Sequence, residues 1–222
     1  MDNKRNSLYT LGSVTSILGG ILVVLSGCWV LFSGTSGFFS VEEGQSPDSR
    51  FGVLHGIGVV TQILLVPAVV ASYVLLRSEA KTRSLLGAVF ALLWIVVELI
   101  GHCALTAPLR PLADFVAAPE TEAIGKALGG LWEEWAEALL MTGTFLCAVA
   151  AFCYGLALRE WGNIIAACLF LLCAIAFPIG IWLGLGIQLH LIFRGIAFVF
   201  LGGIFWRATQ VDDEDWFGLV NL

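Results

Sequence analysis

Of the 222 residues, 59% are hydrophobic and 13% charged, well below the roughly 25% charge of a soluble domain of this size. With a mean hydropathy of +0.92, the chain owns more apolar surface than one small globule can hide, so lipid is the solvent the composition asks for. The net charge of −6 supplies no basic stripe, which excludes nucleic acid as a partner.

A helix needs about 20 mainly apolar residues to cross about 30 Å of hydrocarbon, and six segments of the chain qualify. Continuous apolar runs favour helices over a barrel, whose strands would alternate in polarity over about ten residues. The expected fold is all-α: a polytopic bundle of about six transmembrane helices forming a single domain over residues 1–222.

The first span runs from Leu8 to Phe32 and carries Gly12, Ser16 and Gly20 at four-residue spacing. Within it Leu25-Ser26-Gly27-Cys28 has the form of a lipoprotein signal behind Lys4 and Arg5. The apolar run continues through Trp29-Val30-Leu31-Phe32, so the segment reads as a helix that stays in the membrane. A Gly/Ser-rich connection, Ser33 to Arg50, holds Glu42, Glu43 and Asp48. The second span, Phe51 to Leu76, contains Gly52, His55, Gly56, Gln62 and Pro67. The third, Ser84 to Ala107, contains Glu98 and His102.

Pro108 to Leu131 contains prolines followed by an expected interfacial helix, Glu120 to Gly130. The fourth span, Trp132 to Leu158, opens on Glu133, Glu134 and Glu137. The fifth, Trp161 to Leu185, carries Pro178, Gly180 and Gly184; the sixth, Leu189 to Trp206, carries His190 and Arg194. Residues 207–222 form an acidic tail with Asp212, Asp213, Glu214 and Asp215. Small-residue stripes let helix backbones approach closely in lipid, prolines 67 and 178 are expected to kink their helices, and Trp29, Trp132, Trp135, Trp161 and Trp206 suit an interfacial belt. A homo-oligomer or a membrane partner could meet the Gly-rich faces.

Basic residues stay cytoplasmic. With the N-terminus inside, Lys4, Arg5, Arg77, Lys81, Arg83, Arg159 and Arg207 are cytoplasmic, against Arg50, Arg110 and Lys126 outside. The imbalance puts both termini in the cytoplasm. The six cysteines form no CxxC pair, so they read as small hydrophobes.

Ionisable groups inside a bilayer cost at least about 2.5–3.5 kcal/mol each and mark candidate sites. Glu98 and Arg194 are the deepest, and an ion pair between them would satisfy both. Glu98 and His102 lie four apart, as do His190 and Arg194, so each pair shares a helix face. All three histidines fall at the same, outer side. If helices two, three, four and six enclose a cavity, Gln62, Glu98, His102, Glu137, His190 and Arg194 would bind a ligand there, with His55 beside them. His55, His102 and His190 could instead hold zinc with an open position for water, Glu98 or Glu137 serving as general base. Outside that alternative no cofactor is expected.

The Leu11 to Gly27 small-residue helix, the His55 to Leu76 helix running into Leu75-Leu76-Arg77, and the third-helix string from Leu86 through Glu98 to Leu99 resemble a family of bacterial six-span membrane proteins grouped as a domain of unknown function. The resemblance covers most of the chain and implies a prokaryotic plasma membrane, the bacterial inner membrane, with no assigned activity. Intramembrane zinc hydrolases of the alkaline ceramidase type are similar only in having membrane histidines. Their pattern uses an intramembrane Asp, whereas every Asp here lies outside the spans.

The reading from sequence is therefore a multi-pass membrane protein, more a binder than an enzyme. Its polar pocket near the outer leaflet would take a small ligand, lipid headgroup or ion. An intramembrane zinc hydrolase and a structural or assembly subunit stand as alternatives.

Overall fold

The computed structural model describes residues 2–33, 49–106, 115, 118–184 and 187–210. The Ser33–Arg50 connection beyond its ends and the acidic residues of the tail lie outside the described residues. Those described form six α-helices and no strand: α1 (Asp2–Ser33), α2 (Ser49–Leu76), α3 (Lys81–Thr106), α4 (Glu122–Glu160), α5 (Ile164–Trp182) and α6 (Gln188–Ala208). All six are long and apolar enough to cross a membrane. Outward-facing Leu18, Ile63, Val96, Phe145 and Ile175 are exposed, the pattern of a bundle whose solvent is lipid.

Each helix packs on its neighbours in the chain, and α1 closes the ring onto α6. The register is antiparallel throughout. Gly12 of α1 lies against Ala71 and Gly19 against Leu65 of α2; Gly87 of α3 lies against Tyr154 of α4, and Gly101 against Leu140. The turns 77–80 and 161–163 therefore share one end of the bundle with Arg207, and the starts of α2, α4 and α6 share the other. These are called here the near and far ends.

Because lipid tails are as apolar as leucine, burial alone gives the helices little reason to associate. Close backbone approach and hydrogen bonds supply it. Ser13 Oγ donates to the Gly202 carbonyl at 2.8 Å and Ser16 Oγ to the Phe198 carbonyl at 2.6 Å, both across the α1–α6 seam. At Gly20 an added Cβ would lie 2.7 Å from the Gly195 carbonyl oxygen, so the two backbones touch. The near half of the interior is filled by apolar side chains, with Trp94, Phe170 and Phe198 tilted or edge-on to one another.

Several local expectations meet a different arrangement. The expected interfacial helix and fourth span are one continuous helix of 39 residues, about 58 Å long at 1.5 Å per residue. No proline interrupts it, and Gly129 and Gly130 cost only about 1 kcal/mol each in a helix. Gly184 is not part of a packing stripe: at φ +71° it follows Leu183, the C-cap of α5, where a left-handed residue closes the helix. Trp161 is 3% exposed and packs in the core, because the tight α4–α5 turn folds it inward. Trp29 and Trp206 are exposed near helix ends, and Trp132 and Trp135 are exposed ten and thirteen residues into α4.

At the near end, exposed Arg83 and Glu160 pair across α3 and α4. Arg83→Ala should change stability by no more than about 1 kcal/mol, read by denaturant titration, since water and ions screen such a pair.

Candidate polar site in the bundle interior

Four residues before His102, one turn deeper along α3, Glu98 points into the ring. Residue 143 of α4 is glycine, and an added Cβ there would lie 2.5 Å from Glu98 Cγ. The missing side chain is the room that Glu98 occupies. From α6, Arg194 Nη1 donates to both carboxylate oxygens, at 2.9 and 3.1 Å. From α2, Gln62 Nε2 donates to Glu98 Oε2. The Arg194 guanidinium also lies 5.0 Å from the Trp94 ring centre, a cation–π contact one turn below Glu98 on the same helix. The Glu98 and Arg194 side chains are each 4% exposed.

Nearer the far end, His55 Nδ1 and His102 Nδ1 meet at 3.0 Å. One ring must carry its proton on Nδ1 and the other must present a lone pair there. Gly58 provides the space, since a Cβ at that position would lie 2.5 Å from His102 Nε2. His55 and Gln62 are seven residues apart, about 10 Å along α2. The two clusters are thus stacked, the histidine pair above the Gln62–Glu98–Arg194 chain.

Both clusters line one cavity of about 60 Å³. Its walls come from α1, α2, α3, α4 and the start of α6, with Ser26, Thr61 and Thr144 among the polar side chains and Val23, Val30, Leu54, Leu140 and Leu191 among the apolar ones.

No family model, curated protein or solved structure matches the chain. The functional reading therefore rests on the geometry of this cavity.

Of the residues singled out from the sequence, Gln62, Glu98, His102, Arg194 and His55 line the cavity together. Glu137 and His190 are not among its lining residues. Glu137 is half-buried on α4, seven residues before Thr144, which does line it. His190 is fully buried, with Nδ1 2.9 Å from the Cys173 carbonyl and its ring edge-on to Phe177. The three histidines thus divide into a pair and a single ring. Among the described residues no group of three or more His, Cys, Asp or Glu is placed to hold a metal ion.

Sequence reasoning missed the contribution of α1 through Val23, Ser26 and Val30, as well as Thr61, Thr144 and Trp94. Trp94 was within reach, being four residues before Glu98 on the same face. Ser26 was not, because it reaches the site only when α1 closes the ring.

Proposed function

We propose that the chain is a multi-pass protein of the cell membrane, the inner membrane if bacterial, that binds a small ligand, lipid headgroup or ion in this cavity without catalysing a reaction. One observation carries the reading. Glu98 and Arg194, 96 residues apart, are brought together with Gln62 in the floor of a cavity rather than in a closed helix contact. Membrane-buried charges that only lock helices need no open space beside them, whereas concave sites with a few converging polar groups are the common form of ligand pockets.

The near end of the bundle carries Arg77, Lys81, Arg83, Arg159 and Arg207, and the far end carries Lys126. By the positive-inside rule the near end, and both termini with it, belongs in the cytoplasm. The cavity then opens toward the outer leaflet. A second copy or a membrane partner would meet Gly52 and Gly56, where an added Cβ has nothing within 4 Å, whereas Gly12 and Gly20 are taken by α2 and α6.

Native mass spectrometry of detergent-purified protein tests the reading against Ser26→Leu, which extends an apolar side chain into the cavity from α1. The wild type should retain a noncovalent small-molecule mass that the variant loses, with both chains folded. A wild type that carries no such mass, or carries it equally in the variant, would contradict the proposal.

A further inference from the structure

Some polar atoms of the cavity are satisfied and others are not. Glu98 and Arg194 hold each other at 2.9 Å and cancel each other's charge. Three other atoms, on side chains 4% exposed or less, have no partner among the described residues: Gln62 Oε1, Thr61 Oγ1 and Arg194 Nε. Gln62 has turned its amide so that the NH2 serves Glu98, which leaves the carbonyl oxygen as an acceptor in search of a donor. Arg194 Nε is an N–H in search of an acceptor, and the Thr61 hydroxyl can act either way. Buried polar atoms of native proteins are almost always partnered, so three orphans on the lining of one cavity describe the complement they lack.

That complement both donates and accepts, and it is uncharged. A carboxylate or ammonium ligand would add a charge to a site whose own pair is already neutral, and that charge would stay buried without a counter-ion. The rest of the lining, including Val23, Leu54, Leu140 and Leu191, is apolar. Since about 10–15 Å³ of such volume holds one water, 60 Å³ holds about four to six waters, the bulk of a short aliphatic amide or alcohol.

We infer that the cavity takes an uncharged ligand whose head both donates and accepts hydrogen bonds, a primary amide or a hydroxyl group, on a short apolar body. The inference rests on the binding reading above and names the ligand class of that site. The same head chemistry can come from a free solute or from a neutral lipid such as a monoacylglycerol.

The test is thermal unfolding of the full chain in detergent against rising concentrations of four probes of one size: butyramide, 1-butanol, butyrate and butylammonium. A fifth arm compares nanodiscs with and without monooleoylglycerol. Butyramide and butanol should raise the midpoint saturably and the two ions should not. Thr61→Val keeps the shape of the side chain and removes only an unpartnered hydroxyl. It should leave the unliganded midpoint unchanged or raised and weaken butyramide about tenfold, the size of one hydrogen bond.

A larger shift from monooleoylglycerol than from butyramide would support a lipid source, and the reverse a free solute. Butyrate or butylammonium binding as tightly as butyramide would overturn the uncharged class while leaving a binding cavity. Undiminished butyramide binding in Thr61→Val would remove the donor–acceptor assignment. No shift from any of the five probes would end both this inference and the binding reading beneath it.

Discussion

Glu98→Gln should lower stability by about 3–5 kcal/mol, the range for breaking a buried ion pair from one side. The substitution keeps the shape and volume of the side chain and removes its charge. Arg194 then remains 4% exposed, with both of its Nη1 contacts aimed at a neutral amide and only the Trp94 face as further compensation. Most of the loss is the cost of an uncompensated cation in a low-dielectric interior. Denaturant titration of detergent-solubilised protein reads the effect directly. A loss under about 1 kcal/mol, the value of an exposed pair, would mean that water reaches the guanidinium freely and that the site is not buried.

The second large effect is expected from packing alone. Gly195→Ala should cost about 3 kcal/mol, at the upper end of overpacking penalties. A Cβ there would lie 2.6 Å from the Gly20 carbonyl oxygen and 2.8 Å from the Val24 backbone nitrogen. Neither atom is the end of a flexible side chain, so α1 and α6 must move apart. That movement would strain the Ser13 and Ser16 hydrogen bonds along the same seam, and with them the closure of the ring. Gly203→Ala is the internal control on the same helix, since nothing lies within 4 Å of its added Cβ. It should be neutral or gain up to about 1 kcal/mol from helix propensity. Equal effects at the two positions, measured in the same titration, would show that α1 and α6 do not meet in this register.

The two predictions mark what composition and periodicity can carry and what they cannot. Six spans follow from length and apolarity, because a run such as Ile164–Trp182 has no other stable environment. The partnership of Glu98 with Arg194 follows from cost: two charges so deep in lipid need each other. Ring closure does not follow from the sequence. Gly12, Ser16 and Gly20 announce a close helix contact, but a stripe of small residues does not name its partner. Hence the stripe does not place α1, or Ser26 with it, on the cavity.

Two residues are misplaced in the other direction. Glu137 shares the face of α4 that bears Leu140 and Thr144, but it lies six residues before Gly143, which packs on Glu98, about 9 Å farther along the helix. His190 is four residues before Arg194 and shares its face, but the carbonyl of Cys173 on α5 takes its Nδ1. A buried backbone carbonyl that pairs with a side chain of a neighbouring helix is not marked in the sequence. The sequence places His55 and His102, with His190, only on the same side of the membrane. The His55–His102 contact depends on Gly58, a single glycine that no pattern set apart from the others.

The central claim is that Glu98 and Arg194 form one buried unit at the floor of the cavity, and a double-mutant cycle tests it most directly. Stabilities of the wild type, Glu98→Gln, Arg194→Met and the double variant would be compared in the same denaturant titration. The double variant should be more stable than the sum of the single losses allows, with a coupling of about 2 kcal/mol or more. Single losses that simply add would contradict it, because they would mean that the two side chains do not meet.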